Sequence, residues 1–333
     1  ILPILPSISR SPSACSSAPG SMFDTKLAVI LCFLIMFAGG LAAFAQITKW
    51  TVIKACTWSF KRKEHRFKPA VIFAVSAAAL CIIYGAVFAA GFYPGITSPD
   101  SVAQIEQTFT GVYSNHHPFW HTMIIQACLR LGTGLFGDIN TGVCIYSVLQ
   151  IMVMGCSFGY VIMTLYQMKL SYGLIIPCFL YFAVMPYHIF YSFTMWKDVM
   201  FGSAMAVFIT ALFRIMAGIP YHLTHKAKGK VRCGAANMII LTVSAFGTCL
   251  LRSNGQIAFA VAFIAAIFVL GIRYWKVLLV LLAVLIATIA LKYPFLSAVN
   301  VTQPDTIESL SIPAQQIARI VADGGELTNE QYR

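Results

Sequence analysis

The sequence is poor in charge, and poorest in acid. Of its 333 residues only 11 are Asp or Glu, and charged residues of both signs make up 10%. Soluble domains carry about 25% charged residues, so a water-facing surface is excluded for most of this chain. Paired cysteines are lacking as well. The ten cysteines are scattered, several inside apolar runs (Cys32, Cys81, Cys144, Cys156, Cys178, Cys249), with no CxxC. That spacing excludes a disulfide scaffold and a thiolate metal site, leaving small buried hydrophobes. No Walker loop, GxGxxG, serine nucleophile elbow or HExxH is read in the chain, so nucleotide-driven, hydride and zinc-protease chemistry lack support.

What is abundant is apolar. Hydrophobic residues reach 59% and the mean hydropathy is +0.79. Uninterrupted runs of helical length lie at 27–47, 70–91, 141–167, 173–193, 199–217, 236–252, 257–272 and 278–296. Each is near the ~20 residues that cross a hydrocarbon core. The expected fold is therefore all-α, a polytopic membrane protein with about eight transmembrane helices. A ninth, weaker run at 119–136 is interrupted by His121, Gln126 and Arg130.

The net charge of +12 would suggest nucleic acid in a soluble protein. Here it reads as cytoplasmic loop charge, and no nucleic-acid partner is expected. Segment 48–69 holds Lys49, Lys54, Lys61, Arg62, Lys63, Arg66 and Lys68 against one acid, Glu64, and segment 214–235 holds Arg214, Lys226, Lys228, Lys230 and Arg232 with none. With both segments inside, alternation puts all but Glu64 of the acids outside. It also leaves no crossing for 119–136, which becomes a juxtamembrane or re-entrant outer helix.

The domain reading follows. Residues 1–26 form an N-terminal tail expected to be disordered; 1–21 precede Met22, are rich in Ser and Pro, and read as an upstream extension or part of a fragment. Residues 27–296 form the membrane domain, with a first outer loop at 92–140. The run from 27 ends in Ala43-Phe44-Ala45, which imitates a signal-peptidase site. Cleavage would leave the basic loop outside, so an uncleaved helix is preferred. The polar tail 297–333 looks like the start of an extracytoplasmic region that is cut short.

Three clusters carry the chemistry, all on the outer side. In the first, Tyr93-Pro94-Gly95-Ile96-Thr97-Ser98-Pro99-Asp100 forbids helix until Ser98 or Asp100 caps a new one through Gln104 and Gln107. The bland reading makes Asp100 a cap only. Asn115-His116-His117-Pro118 and then His121 follow within twenty residues. The His-His-x-x-x-His string admits a zinc reading, but no cysteine or Glu-x-x-His partner accompanies it. A polar lining for an acceptor or a phosphate fits better.

The second cluster is Met195-Trp196-Lys197-Asp198, after an aromatic stretch that includes Tyr181, Tyr187 and Tyr191. The aromatics read as an interfacial belt; Lys197 and Asp198, ionisable at membrane depth, read as functional. The third is Arg252-Ser253-Asn254-Gly255. An outer arginine runs against the charge bias, and its guanidinium fork matches phosphate oxygens, with snorkelling as the bland alternative. Carboxylates and cations at one lipid surface are what a transferase with a lipid-phosphate donor needs.

Asp100-Ser101-x-x-Gln104, Asn115-His116-His117-Pro118, Lys197-Asp198, Arg252-Ser253-Asn254-Gly255 and Ile312-Pro313-Ala314-Gln315-Gln316-Ile317-Ala318-Arg319 stand in this order. Over about 70–330 the chain resembles the GT-C superfamily of membrane glycosyltransferases, and more closely an uncharacterised family of Gram-positive bacterial membrane proteins near it. The resemblance implies sugar transfer, with inversion, from a polyprenyl-phosphate-linked donor to an envelope glycan or protein acceptor at the extracytoplasmic face of the cell membrane. It makes Asp100 the general base and Asp198 the second acid, orienting the acceptor or binding a divalent cation (Mg or Mn) as candidate cofactor. Lys197 and Arg252 would hold the carrier phosphate, with His116, His117, Asn115, Gln104 and Asn254 lining the site. The superfamily commonly pairs acids in its first loop, whereas Ser101 follows Asp100, which weighs against a metal-assisted mechanism. The competing readings are a transporter or lipid flippase, disfavoured by nearly charge-free helix interiors and no inverted repeat, and a non-catalytic envelope scaffold.

Overall fold

A computed structural model describes residues 66–216, 234–270, 274–303 and 311–324, with isolated helical positions at 31, 35, 36, 39 and 46. The chain divides into two units, Ile1–Lys61 and Arg62–Arg333, and every numbered element belongs to the second. The tail 1–26, most of the run 27–47 and most of the two basic segments lie outside the described residues.

Helix α1 is Pro69–Gly91, β1 is Ile96–Thr97, α2 is Pro99–Thr110, α3 is Phe119–Phe136 and α4 is Ile139–Gln167. Then come α5 (Tyr172–Val184), α6 (Pro186–Ser192), β2 (Thr194–Met195) and α7 (Lys197–Met216). The remaining helices are α8 (Ala235–Leu250), α9 (Gly255–Leu270), α10 (Trp275–Lys292), α11 (Pro294–Ala298) and α12 (Ser311–Ala322). The protein is an all-α membrane protein in this coarse sense: among the described residues, apolar helices with one two-stranded sheet and one isolated bridge.

The expected number of spans is corrected. Among the described residues four helices are long and apolar enough to cross a bilayer (Pro69–Gly91, Ile139–Gln167, Lys197–Met216 and Trp275–Ala298), or up to five if one bent pair is a single span. Helices α8 and α9 have 16 residues each, about 24 Å of rise against a hydrocarbon core of about 30 Å. The run 173–193 is not one straight helix: α5 and α6 are bent by 53°. The cause is Pro186, which lacks an amide proton and forces Met185 before it to an extended ψ of 118°. The interrupted run 119–136 is helical, as α3, and is not among the four.

Helix α4 is the axis of the bundle: 29 residues long, it packs against α1, α3 and α7. Small residues allow the close approaches. A Cβ at Gly159 would sit 2.9 Å from Ala77 Cβ, and one at Gly142 would sit 2.7 Å from Leu129 Cα, so α1 and α3 lie against glycine faces. Such backbone proximity is how helices gain dispersion contacts in lipid, where burial alone offers little. The string Gly155-Cys156-Ser157-Phe158-Gly159 spells GxSxG without forming a serine elbow. It sits inside α4 rather than at a strand-to-helix turn, and Ser157 Oγ donates to Val153 O at 2.7 Å, so it is packing, not an elbow.

Arg214, counted above as basic loop charge, is fully buried in the last turn of α7. Its Nη1 donates to Thr164 Oγ1 at 2.9 Å and Gln167 Oε1 at 2.5 Å, and its Cζ lies 5.3 Å from the Tyr160 ring centroid. After α11 the chain returns to the first loop: Ser114 pairs with Thr302, and Asn115 N donates to Thr302 O at 2.8 Å.

Candidate functional site

The parallel pairing of β1 with β2 places Ile96 opposite Thr194 and Thr97 opposite Met195. Each strand runs almost directly into a helix, so the starts of α2 and α7 stand side by side. Ser98 caps α2: Ser101 N donates to Ser98 Oγ at 3.2 Å, Ser98 N donates to Ser101 Oγ at 2.7 Å, and Ser98 Oγ donates to Met195 O at 3.2 Å. This capping box satisfies the orphan amides of the first turn and ties it to β2. Asp100 is therefore the second residue of α2 and Lys197 the first of α7, not loop residues.

Lys197 Nζ donates to Asp100 Oδ2. His117 Nδ1 completes the group, 3.5 Å from Lys197 Nζ and 3.9 Å from Asp100 Oδ2. The hydrogen bond from Lys197 holds the Asp100 carboxyl below the usual carboxylate range, against the opposing pull of desolvation. Next to it, Arg252 Nε lies 3.4 Å from Asp198 Oδ1, and the guanidinium rests 5.4 Å from the Phe201 ring centroid. Two acid–base pairs thus sit on consecutive residues of α7.

Behind them runs a buried polar row that joins α2, α3, α4 and the loop before α7. Gln104 Nε2 donates to Thr122 Oγ1 at 2.8 Å, and its Oε1 lies 3.0 Å from His121 Nδ1. His121 Nε2 is 2.7 Å from Tyr146 OH, which donates to Gln150 Oε1 at 2.9 Å. Gln150 Nε2 reaches the carbonyls of Tyr191 (2.8 Å), Ser192 (3.2 Å) and Thr194 (2.6 Å). Burial, with Lys197 and His117 near, pulls the His121 pKa down to about 3, so this imidazole is neutral at pH 7. The row fixes the segment that delivers Lys197.

The candidate residues divide accordingly. Asp100, Lys197 and His117 come together; Asp198 and Arg252 adjoin them. His116 lies beside His117, ring centroids 4.6 Å apart. Gln104 is in the buried row rather than lining an open site. Asn115 accepts from Phe119 N at 3.3 Å and donates to Gln303 Oε1 at 3.0 Å, so it starts α3 and holds the returning chain. Asn254 is exposed in the turn before α9, and among the described residues no contact brings it to the cluster. The histidine string diverges, His121 into the buried row and His117 toward Asp100. Among the described residues no three His, Cys, Asp or Glu side chains gather as metal ligands. Each candidate carboxylate faces a cation instead of another carboxylate, so these residues do not fit a divalent ion.

Three residues of the row, Thr122, Tyr146 and Gln150, escaped the sequence reading. Tyr146 and Gln150 are four apart in an apolar run, a spacing that puts both on one helix face, and that was the available signal. A groove of about 530 Å³, lined by apolar side chains that include Ile124, Val153, Val207, Val243 and Leu251, lies between α3–α4 and α7–α8. Leu251, the neighbour of Arg252 in the chain, is among its lining residues.

Compared with curated proteins and with solved structures, the chain has no match in either set. Residues 106–332 match the model of DUF6020, a family of unknown function, and the chain belongs to that family.

Proposed function

We propose that this protein is a membrane glycosyltransferase of the GT-C kind, transferring a sugar from a polyprenyl-phosphate carrier to an acceptor hydroxyl outside the cytoplasm. The observation that carries the reading is the pairing of Asp100 with Lys197 beside Asp198 and Arg252, with an apolar groove lined in part by Leu251, the residue before Arg252. The groove suits an isoprenoid chain, and the two cations suit the phosphate at its end. In transfer, the acceptor O–H proton passes to the Asp100 carboxylate as the new C1–O bond forms. The bond from C1 to the phosphate oxygen breaks, and the carrier phosphate leaves with the electron pair, held by Lys197 and Arg252.

Lys197 has a second part in this scheme. Paired with it, Asp100 is a weak base. A donor phosphate competes for the same ammonium, and as Lys197 turns to the phosphate the carboxylate regains basicity. Base activation is then tied to donor binding.

Charge supports the sidedness. The site lies at the C-terminal end of α1 and the N-terminal end of α7, while the opposite ends adjoin the basic segments 48–69 and 214–235. The positive-inside bias favours the cytoplasm for those segments, which supports a site at the extracytoplasmic face of the cell membrane that serves an envelope glycan or protein acceptor. The test is to incubate the purified chain with a polyprenyl-phosphate sugar and an envelope acceptor fraction. Release of carrier phosphate is the expected result; intact donor after prolonged incubation overturns the reading.

A further inference from the structure

Asp198 also lines a second cavity, of about 310 Å³, between α4, α6 and α7, which shares Ser203 with the apolar groove. Its walls include Phe158, Tyr187, His188, Tyr191, Trp196 and Asp198. Rings dominate it: Tyr191 and Trp196 stack at 5.3 Å with 24° between planes, and Tyr187 lies 4.2 Å from Tyr191. Two buried polar atoms in these walls, Asp198 Oδ1 and His188 Nε2, have no hydrogen-bond partner among the described residues. Buried polar atoms are nearly always paired, and one left open costs about 1–3 kcal/mol. Two on different helices, lining one cavity, offer a bound molecule two polar anchor points.

The chemistry of that ligand is constrained. The carboxylate needs a donor, but its charge is already balanced by Arg252 at 3.4 Å, so the cavity does not call for a cation. The imidazole nitrogen needs either a donor or an acceptor, according to its tautomer. A hydroxyl is both. The rings offer faces to C–H groups rather than to charge. The volume stands at the lower limit of ligand pockets, which run from about 300 to 1,000 Å³, and suits one ring.

We propose that this cavity is a saccharide subsite for one neutral pyranose ring, which lies against Trp196 and Tyr191 with hydroxyls on Asp198 Oδ1 and His188 Nε2. Because Trp196 and Asp198 flank Lys197 in the chain, a ring held there stands next to the Asp100–Lys197 pair. Only the use of the ring in transfer rests on the glycosyltransferase reading; its binding does not.

The experiment is saturation-transfer NMR on the full chain in nanodiscs with methyl glycosides of glucose, galactose and mannose, and with N-acetylglucosamine. At least one should show saturable binding with a Kd on the order of 1–10 mM, its C–H face carrying the strongest transfer. Trp196→Ala should abolish it, and His188→Phe, which keeps the ring packing, should weaken it about tenfold or more. Asp100→Asn should keep the Kd within about twofold; wild-type protein that binds the sugar yet leaves a polyprenyl-phosphate donor intact counts against the enzyme reading and leaves the subsite standing. No transfer from any of the four sugars overturns the subsite. So does undiminished binding in both cavity variants, or displacement of the bound sugar by tetramethylammonium.

Discussion

Lys197 donates a hydrogen bond to Asp100 from a position 97 residues further along the chain. Two strands of two residues each make that contact, because their parallel register sets the first turns of α2 and α7 side by side. The pair is held from behind by Gln150, which gathers three carbonyls of the segment leading to Lys197.

If Asp100 is the base, Asp100→Asn should lower sugar transfer by about 10²–10⁴-fold, the usual contribution of a general base. The residue is partly exposed and at a helix start, so membrane insertion and thermal midpoint should change little. Turnover at the wild-type rate would remove Asp100 from the chemistry.

Arg252→Ala should act on the donor. A charge-assisted hydrogen bond contributes about 1.5–3 kcal/mol, so the donor's KM should rise about tenfold or more while the acceptor's stays within about twofold. Equal changes in both would make Arg252 structural.

Lys197→Met should let the Asp100 pKa climb back toward 3.8, the value it has without partners. Because pairing lowers the folded pKa, its stabilisation is fully present above the unfolded value and is lost as pH falls through the lowered one. A carboxyl-carbon NMR titration of Asp100 in both proteins checks the shift, and an unchanged midpoint would dissociate the two groups.

His121 predicts a different acid response. Its folded pKa of about 3 lies below the ordinary 6.5, so between those values the unfolded chain binds the extra proton. Stability from this group is complete above pH 6.5 and declines by up to about 1.4 kcal/mol per pH unit below it, until the folded ring itself titrates. Thermal midpoints of the wild type and His121→Gln should therefore converge as pH falls from 7 to 4. Parallel curves would mean that the ring is already charged in the fold.

Gly95→Ala should loosen the site without touching a charged group. Gly95 has φ 134°, and a Cβ there would overlap Ser147 Oγ, which donates to Pro94 O at 3.1 Å. A cost of about 1–3 kcal/mol is expected from the backbone conformation alone, with transfer reduced because β1 no longer aligns α2. A wild-type thermal midpoint in this variant would show that the turn adapts.

Asp100, Lys197, Asp198 and Arg252 were legible in the sequence because an ionisable group beside an apolar run has no cheap solvation and stands out. Gln104 and Asn115 were read as ligand-binding from the same company, yet Thr122, His121 and Gln303 engage them. A side-chain amide bonds equally well to a ligand or to a neighbour, and nothing local distinguishes the two. Tyr187 and Tyr191 read as part of an aromatic belt and His188 between them carries no separate signal, since a ring facing lipid and a ring facing a cavity have the same spelling.

The residue string by itself determined that this chain is helical and belongs in a bilayer, and where most helices run. Transfer of a segment from water to hydrocarbon depends on that segment's own side chains, summed over about 20 positions. Only the tertiary structure decided that Lys197 meets Asp100 while Arg252 meets Asp198, that α5 and α6 part at Pro186, and that two polar atoms face one cavity. Those outcomes depend on distance between segments far apart in the chain, and electrostatic and hydrogen-bond energies vanish unless the atoms are brought together.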